Sequence, residues 1–342
     1  MANVLVTGHK GYIGAVLVPM LIEEGFRVAG LDVDFFGGGT LVHVPEIDKD
    51  LRDVEQRDLA GFDAVIHLAA LSNDPLGDLD PALTYDVNYR ATVRLAALAK
   101  AAGVPRFLFS SSCSNYGAAG GELMTERSAL NPVTPYGKSK VMAEEALRGL
   151  ADGRFSPVFL RNATAYGVSP RLRCDLVVNN LAAWAFTTGR MPIRSDGTPW
   201  RPLVHVRDIA AAFIALLRAP RDAVHNETFN VGRTEENYRV RDVAAIIAEL
   251  MPGSTVEYAN EPPRDSRDYR VSCDKIARRI PLFRPEWSVR RGVAELLDAY
   301  AKARLQAADI EGPRFTRMAC IRRLLDEGEV DASLRRQQAL AT

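Results

Sequence analysis

Residues 3–14 read Asn-Val-Leu-Val-Thr-Gly-His-Lys-Gly-Tyr-Ile-Gly, a short apolar run that stops at three glycines spaced three apart. The run has the length and composition of a buried parallel strand. Gly8 permits a tight turn, Gly11 lets the backbone approach a pyrophosphate, and Gly14 lets the next helix lie close on the strand. That helix, expected from about Ile13 to Glu24, points its positive end at the phosphates, with Tyr12 and Ile13 at its start. A lone glycine triplet is usually a loop; one set between a strand and an amphipathic helix predicts a dinucleotide site. A second strand, Arg27–Leu31, ends in Asp32. An acid there can bind both hydroxyls of an adenosine ribose and would repel a 2′-phosphate, which favours NAD over NADP. Asp34 is the alternative acid, and Lys10 argues the other way because a cation in this loop could meet a phosphate. The expected fold class is α/β, a Rossmann doubly wound parallel sheet.

A second stretch carries chemistry. Arg106-Phe-Leu-Phe-Ser110 reads as a buried strand ending in three serines, Ser110 to Ser112. Thr134-Pro135 reads as a helix start, with Thr134 as N-cap and Pro135 at the first helical position. Tyr136 and Lys140, four apart, share one face of that helix. A free tyrosine, with a pKa of about 10, is a poor acid or base near neutrality. A nearby ammonium favours the phenolate. Such a pair can move a proton on or off a sugar hydroxyl while a serine at the strand end holds the same oxygen. Alone, Tyr-x-x-x-Lys is found on many surface helices; the glycine fingerprint in the same chain gives it meaning.

Together these motifs resemble the extended short-chain dehydrogenase/reductase family, in its NAD-dependent nucleotide-sugar epimerase/dehydratase branch, the group that includes UDP-glucose 4-epimerases. The resemblance covers roughly residues 2–300. It implies that Asp50 and Leu51 contact the adenine, although an ordinary polar loop would read the same. It implies that the small residues of Leu68-Ala69-Ala70 pass beside the cofactor, and that Asn88 supports the active-site strand in an architectural role on the cofactor side. Ser72, Asn73 and Asp74 would read sugar hydroxyls or cap the next helix. Tyr116-Gly117 matches the family's Tyr-Gly, and this register assigns the catalytic serine to Ser112, with Ser110 beside the cofactor. Ala163 follows the next strand toward the nicotinamide. Thr164 stands where relatives commonly carry a substrate-binding asparagine, which leaves Asn162 as a replacement. Asn180 and Arg201 match positions that contact the nucleotide diphosphate, and Arg264 and Arg267 resemble a second arginine site. His67, inside an apolar run, is expected to be a core histidine.

The bulk numbers exclude other classes. The chain has 342 residues with 43 basic and 43 acidic side chains, so nothing points to a nucleic-acid partner. No apolar run is long enough to span a membrane. Four widely spaced cysteines without a metal pattern suggest reduced thiols, a cytoplasmic protein and no metal site. The expected division is 1–168, with 203–232 returning to the sheet, for the NAD-binding domain. Residues 169–202 and 233–312 form a smaller mixed α/β nucleotide-sugar-binding region, and 313–342 a C-terminal helical extension. Helices are expected at 82–102, 286–306 and 315–326, the basic residues of the last forming a solvated face.

The choice of reaction rests on three positions. Dehydratases of the family carry Asp-Glu after the catalytic hydroxyl residue, where this chain has Cys113 and Ser114. Its 3,5-epimerases carry a cysteine and a histidine where this chain has Ser114 and Asn180. What remains needs only Ser112, Tyr136, Lys140 and a nicotinamide. The expected activity is C4 epimerisation of a nucleotide-activated sugar: hydride passes to bound NAD, the 4-keto sugar turns over, and hydride returns. The alternatives are a nucleotide 4-keto-sugar reductase or a dehydratase with non-standard acid/base residues. The resemblance also implies a homodimer, through helices near 82–102 and 135–150.

Overall fold

The computed structural model describes residues 1–37, 41–72, 80–259 and 267–337. Its centre is a seven-stranded sheet in which every pairing is parallel. The strands are β1 (Asn3–Thr7), β2 (Arg27–Leu31), β3 (Glu46–Ile47), β4 (Ala64–His67), β5 (Arg106–Ser112), β6 (Ser156–Asn162) and β7 (Thr228–Val231). Their spatial order is β7-β6-β5-β4-β1-β2-β3. The order reverses direction at β1, and an open sheet of this kind binds ligands outside the carboxyl ends of the strands at that reversal. β1, β4, β5 and β6 are apolar because the sheet is covered on both faces. One face packs under α1 (Gly14–Glu23) and α2 (Val206–Arg218), around Leu17, Leu21, Ile209 and Phe213. The other packs under α3 (Ala91–Ala101) and α4 (Pro135–Leu150), around Leu95, Phe107, Phe159 and Leu147.

A separate apolar cluster joins Tyr166, Val178, Leu181, Met191, Ile247, Val293, Leu296 and Tyr300, and this second core backs the far wall of the cleft. Within residues 203–232, Val206–Arg218 packs on the large sheet and Thr228–Val231 joins it as a strand. Trp200–His205 instead pairs with Thr164–Tyr166 and Asn237–Arg239 in a small three-stranded sheet. The helix expected at 82–102 runs from Pro81 to Ala101 but is interrupted by a π-helical turn, Asp86–Arg90, which carries Asn88. The terminal helices are Val289–Ala303 and Arg317–Asp326. The second of these does not stand apart. Ile321, Leu324, Val330 and Leu334 bury against Leu71, Leu83, Phe35 and Phe36, so the C-terminal segment lies across the carboxyl edge of the large sheet.

Candidate active site

One cleft of about 1300 Å³ runs along that edge. It is large enough for two extended ligands, since a drug-sized ligand fills about 300–1,000 Å³. Gly8, Gly11, Tyr12, Ile13, Gly14, Asp32, Asp50, Leu51, Leu68, Ala69, Ala70 and Ser72 line one end. Ser110, Ser112, Tyr136, Lys140, Asn162, Ala163, Thr164, Asn180, Arg201 and Arg267 line the rest. Asn73 and Arg264 lie outside the described residues.

The glycine end is a backbone cradle. Gly8 sits at φ +73°, and a Cβ there would stand 2.7 Å from the Ala69 nitrogen. A Cβ on Gly14 would stand 2.3 Å from the Gly8 oxygen. Neither position tolerates a side chain, so bare amides and the start of α1 face the cleft, the arrangement a pyrophosphate requires. Asp32 is half-buried; its carboxylate accepts from the backbone amides of Lys10 and Asp34 at 2.9 Å each, and desolvation raises its pKa. The donor set therefore fits a dinucleotide with an unmodified ribose.

Three sequence expectations change here. The Lys10 side chain does not reach the cleft; its ammonium turns outward to Glu46 at 2.7 Å, and only its backbone amide serves the site, through Asp32. Asp34 is no alternative ribose acid, because Arg171 holds both its oxygens at 2.9 and 3.1 Å. Asn88 is fully buried and touches no cleft surface; its amide pairs both ways with the Leu71 backbone at 2.8 and 3.1 Å, fixing the loop after β4. Asp50 lines the cleft, but Arg52 occupies its carboxylate with Nε, Nη2 and the backbone amide. His67 is a core residue, held between Thr7 and Thr92, and burial pushes its pKa down to about 3.

At the carboxyl end of β5 the Ser/Tyr/Lys set converges. Thr134 caps α4 by accepting from the Gly137 amide at 3.1 Å, with Pro135 at the first helical position. That aims Tyr136 into the cleft and Lys140 beneath it. Lys140 is 3% exposed, donates to the Ser110 carbonyl at 2.9 Å and stands 5.8 Å from the centre of the Tyr136 ring. Burial lowers its pKa to about 7, with Glu144 one turn further on opposing the shift. Glu144 is locked in a buried ion pair with Arg161 of β6 at 2.7 Å and accepts from Ser111 at 2.5 Å, tying helix, β5 and β6 together. Ser112 accepts from the amide and hydroxyl of Ser114 at 3.1 and 2.9 Å, which leaves its own proton available to the cleft. Cys113 turns away into the core toward the Arg161 carbonyl, and burial raises its pKa. Asn162 donates to Ser110 Oγ at 3.0 Å while its buried Oδ1 has no partner among the described residues.

The opposite wall is charged. Asn180 donates to the Cys174 carbonyl at 2.7 Å, and the buried Arg201 donates to the Arg267 carbonyl at 2.6 Å. Sequence reasoning missed Arg173, Asp175 and Arg317. Arg173 forms a two-pronged ion pair with Asp175 at 2.8 and 3.0 Å and reaches Ser72 Oγ at 3.3 Å. The available signal was Ser169-Pro-Arg-Leu-Arg-Cys-Asp175, two arginines and an acid in a segment that must cross the cleft mouth. Arg317, expected on a solvated face, is 4% exposed and lines the cleft, whereas Arg322 and Arg323 are exposed.

Comparison with known proteins shows the family. Residues 4–232 match the model of the NAD dependent epimerase/dehydratase family. UDP-glucose 4-epimerase 4 of Oryza sativa subsp. japonica is 30% identical, over 86% of this chain and 88% of its own. UDP-glucose 4-epimerase of Mycolicibacterium smegmatis is 31% identical, over 86% of this chain and 97% of its own. Among solved structures, MoeE5 in complex with UDP-glucose and NAD superposes with a TM-score of 0.77 at 29% identity, covering 88% of this chain and 99% of that one.

Proposed function

The chain belongs to the NAD-dependent epimerase/dehydratase family, and on that premise we propose that it epimerises a nucleotide-activated sugar at C4. Bound NAD supplies the hydride acceptor and, on return, the hydride donor. The protein's own part is to move one proton and to hold the sugar. Tyr136 takes the proton of the C4 hydroxyl and later gives it back. The cation of Lys140 beneath the ring stabilises the phenolate that forms. Ser112 donates to the same sugar oxygen and fixes its place. Asn162, Thr164, Asn180 and the arginines Arg201, Arg264 and Arg267 are assigned to the sugar and its diphosphate; a planar cation with several donors suits that group. Ser72 and Asn73 are assigned to the sugar hydroxyls.

The observation that carries this reading is a shared cleft: the Ser112, Tyr136 and Lys140 set opens onto the space that begins at the Gly8–Gly14 cradle. The outward ion pair of Lys10 with Glu46 supports NAD over a 2′-phosphorylated cofactor. Cys113 faces the core and Ser114 bonds Ser112, so neither supplies the acid/base pair an elimination needs. Denaturing the purified protein and identifying the dinucleotide released tests the reading. NAD near one per chain is expected. An empty protein that binds NADPH more tightly than NAD would move the ketoreductase to first place.

The division into a cofactor domain, 1–168 with 203–232, and a nucleotide-sugar region, 169–202 with 233–312, is part of the same proposal; the second apolar cluster around Val178, Ile247 and Leu296 supports it, while Tyr269, Ile276 and Phe283 pack with the core of the large sheet. A homodimer through α3 and α4 is proposed as well, since Met142 stands exposed on the outer face of α4; sedimentation should give twice the chain mass. The four unpaired cysteines favour a cytoplasmic location. Among the described residues no helix is long and apolar enough to cross a membrane.

A further inference from the structure

The last helix carries a buried cation into the cleft. Arg317 is 4% exposed and lines the cleft beside Thr316 and Met318. Its guanidinium stacks over Phe36 at 3.8 Å, and among the described residues its one hydrogen bond runs from Nη2 to the Arg171 carbonyl at 3.3 Å. Among the described residues it has no ion-pair partner. Its charged neighbours make matters worse. Burial first, and then Arg173, lower its pKa to about 9, with Asp175, already paired with Arg173, and Cys320 opposing them. Arg171, whose carbonyl it meets, has buried Nε and Nη1 atoms without partners among the described residues. A buried arginine without an acid is costly unless a ligand supplies the anion.

The start of the helix repeats the message. Thr316 stands at the N-cap, but its hydroxyl donates to the Ile310 carbonyl at 2.6 Å and caps none of the first-turn amides. The helix spans ten residues, Arg317–Asp326, so its positive end and its open amides meet the same space as the guanidinium. Two independent features, a side chain and a helix end, thus present positive charge to one point of the cleft.

We propose that Arg317 is an anion-binding residue of the cleft, carried in by the C-terminal extension to hold a diphosphate. The inference rests on the NAD and nucleotide-sugar reading above, which places two diphosphates in this cleft. Position favours that of the cofactor. Phe36, under the guanidinium, belongs to the segment that follows Asp32, and Arg171 joins that segment through Asp34. Beyond Arg317 the extension is fastened to the same edge. Arg336 donates to the carbonyls of Val33 at 2.9 Å and Asp34 at 2.7 Å, and Arg52 donates to the Ser333 carbonyl at 2.8 Å. The extension therefore closes over the bound dinucleotide and contributes a ligand to it.

The test compares the full-length protein with Arg317→Met, which keeps an unbranched apolar side chain at the position, and with Arg317→Lys. Exchange of bound NAD for labelled NAD is followed after rapid desalting, and binding of UDP, as a bare nucleoside diphosphate, is measured by calorimetry. Thermal unfolding of each variant without added ligand reports the fold. The expected result is NAD exchange at least about tenfold faster in Arg317→Met, partial recovery in Arg317→Lys and unchanged UDP binding. A variant that exchanges NAD normally but binds UDP about tenfold more weakly would assign the same residue to the substrate's diphosphate. Normal NAD exchange with normal UDP binding would overturn the proposal, as would equal loss of both accompanied by a lower unfolding temperature. A wild-type protein that holds no NAD would instead refute the cofactor reading, and UDP binding alone would then decide the role of Arg317.

Discussion

The two walls of the cleft are made of different materials. The wall of Gly8–Gly14, Asp32 and Leu68–Ala70 is backbone, drawn from the ends of adjacent parallel strands. It works because side chains are missing: a Cβ on Gly8 or Gly14 would meet main-chain atoms. The facing wall of Arg173, Asp175, Arg201 and Arg317 is side chain, gathered from segments far apart in sequence. It works through which acid neutralises which arginine. A backbone wall leaves its signature in local spacing. A charged wall is decided only when the chain has closed.

Substitutions should divide along that line. Tyr136→Phe, at the junction of the walls, should lower epimerase turnover by about 10³-fold while the bound NAD per chain stays unchanged; loss of cofactor along with activity would mean the tyrosine is structural. On the charged wall, Arg173→Met should cost about 2 kcal/mol in urea unfolding because it removes the two-pronged partner of the half-buried Asp175. Adding Asp175→Leu should recover most of that stability without restoring turnover. If the double variant is as active as the wild type, the pair is scaffold alone. On the backbone wall, Gly8→Ala forces an alanine to φ +73° against Ala69. It should cost about 1–3 kcal/mol and empty the protein of NAD. Retained NAD would break the contrast.

The remaining predictions are smaller. Lys140 has its pKa lowered to about 7 by burial, against about 10.5 for an ordinary lysine. Between these values the unfolded chain holds the extra proton, so wild-type stability should rise with pH across that window. Lys140→Met lacks this dependence, and the difference in Tm between the two should shift in favour of the wild type as pH rises from 7 toward 10.5. A difference constant with pH would mean that the lysine is protonated in the fold throughout. Lys10→Ala should change NAD exchange less than twofold and stability by less than about 1 kcal/mol, since it removes only a partly exposed ion pair with Glu46.

The same contrast explains what the sequence could disclose. β1, the turn and α1 follow from one apolar run and three glycines, and Asp32 from its place at the next strand end. Thr134-Pro135 announced α4, and so the common face of Tyr136 and Lys140. Lys10 misled because its loop position is local but its partner, Glu46, is not. Asn88 belongs with the architecture for a related reason: a buried amide at the π-helical turn satisfies the Leu71 backbone, which no spacing rule predicts. Arg317 sits among other basic residues on a helix that reads as amphipathic. That one of these arginines would be buried against Phe36 depended on the last segment folding back over the sheet edge, a contact between opposite ends of the chain.

The central claim is that this cleft inverts a sugar carbon with a cofactor that stays bound through the cycle. The direct measurement is proton NMR of UDP-glucose and, separately, of UDP-galactose, then of other nucleotide-sugar epimer pairs, incubated with the purified protein and no added cofactor. The account predicts that one pair interconverts and reaches the same ratio from either side. Failure of every pair to interconvert, while a nucleotide 4-keto sugar is reduced only when external NADPH is supplied, would contradict it.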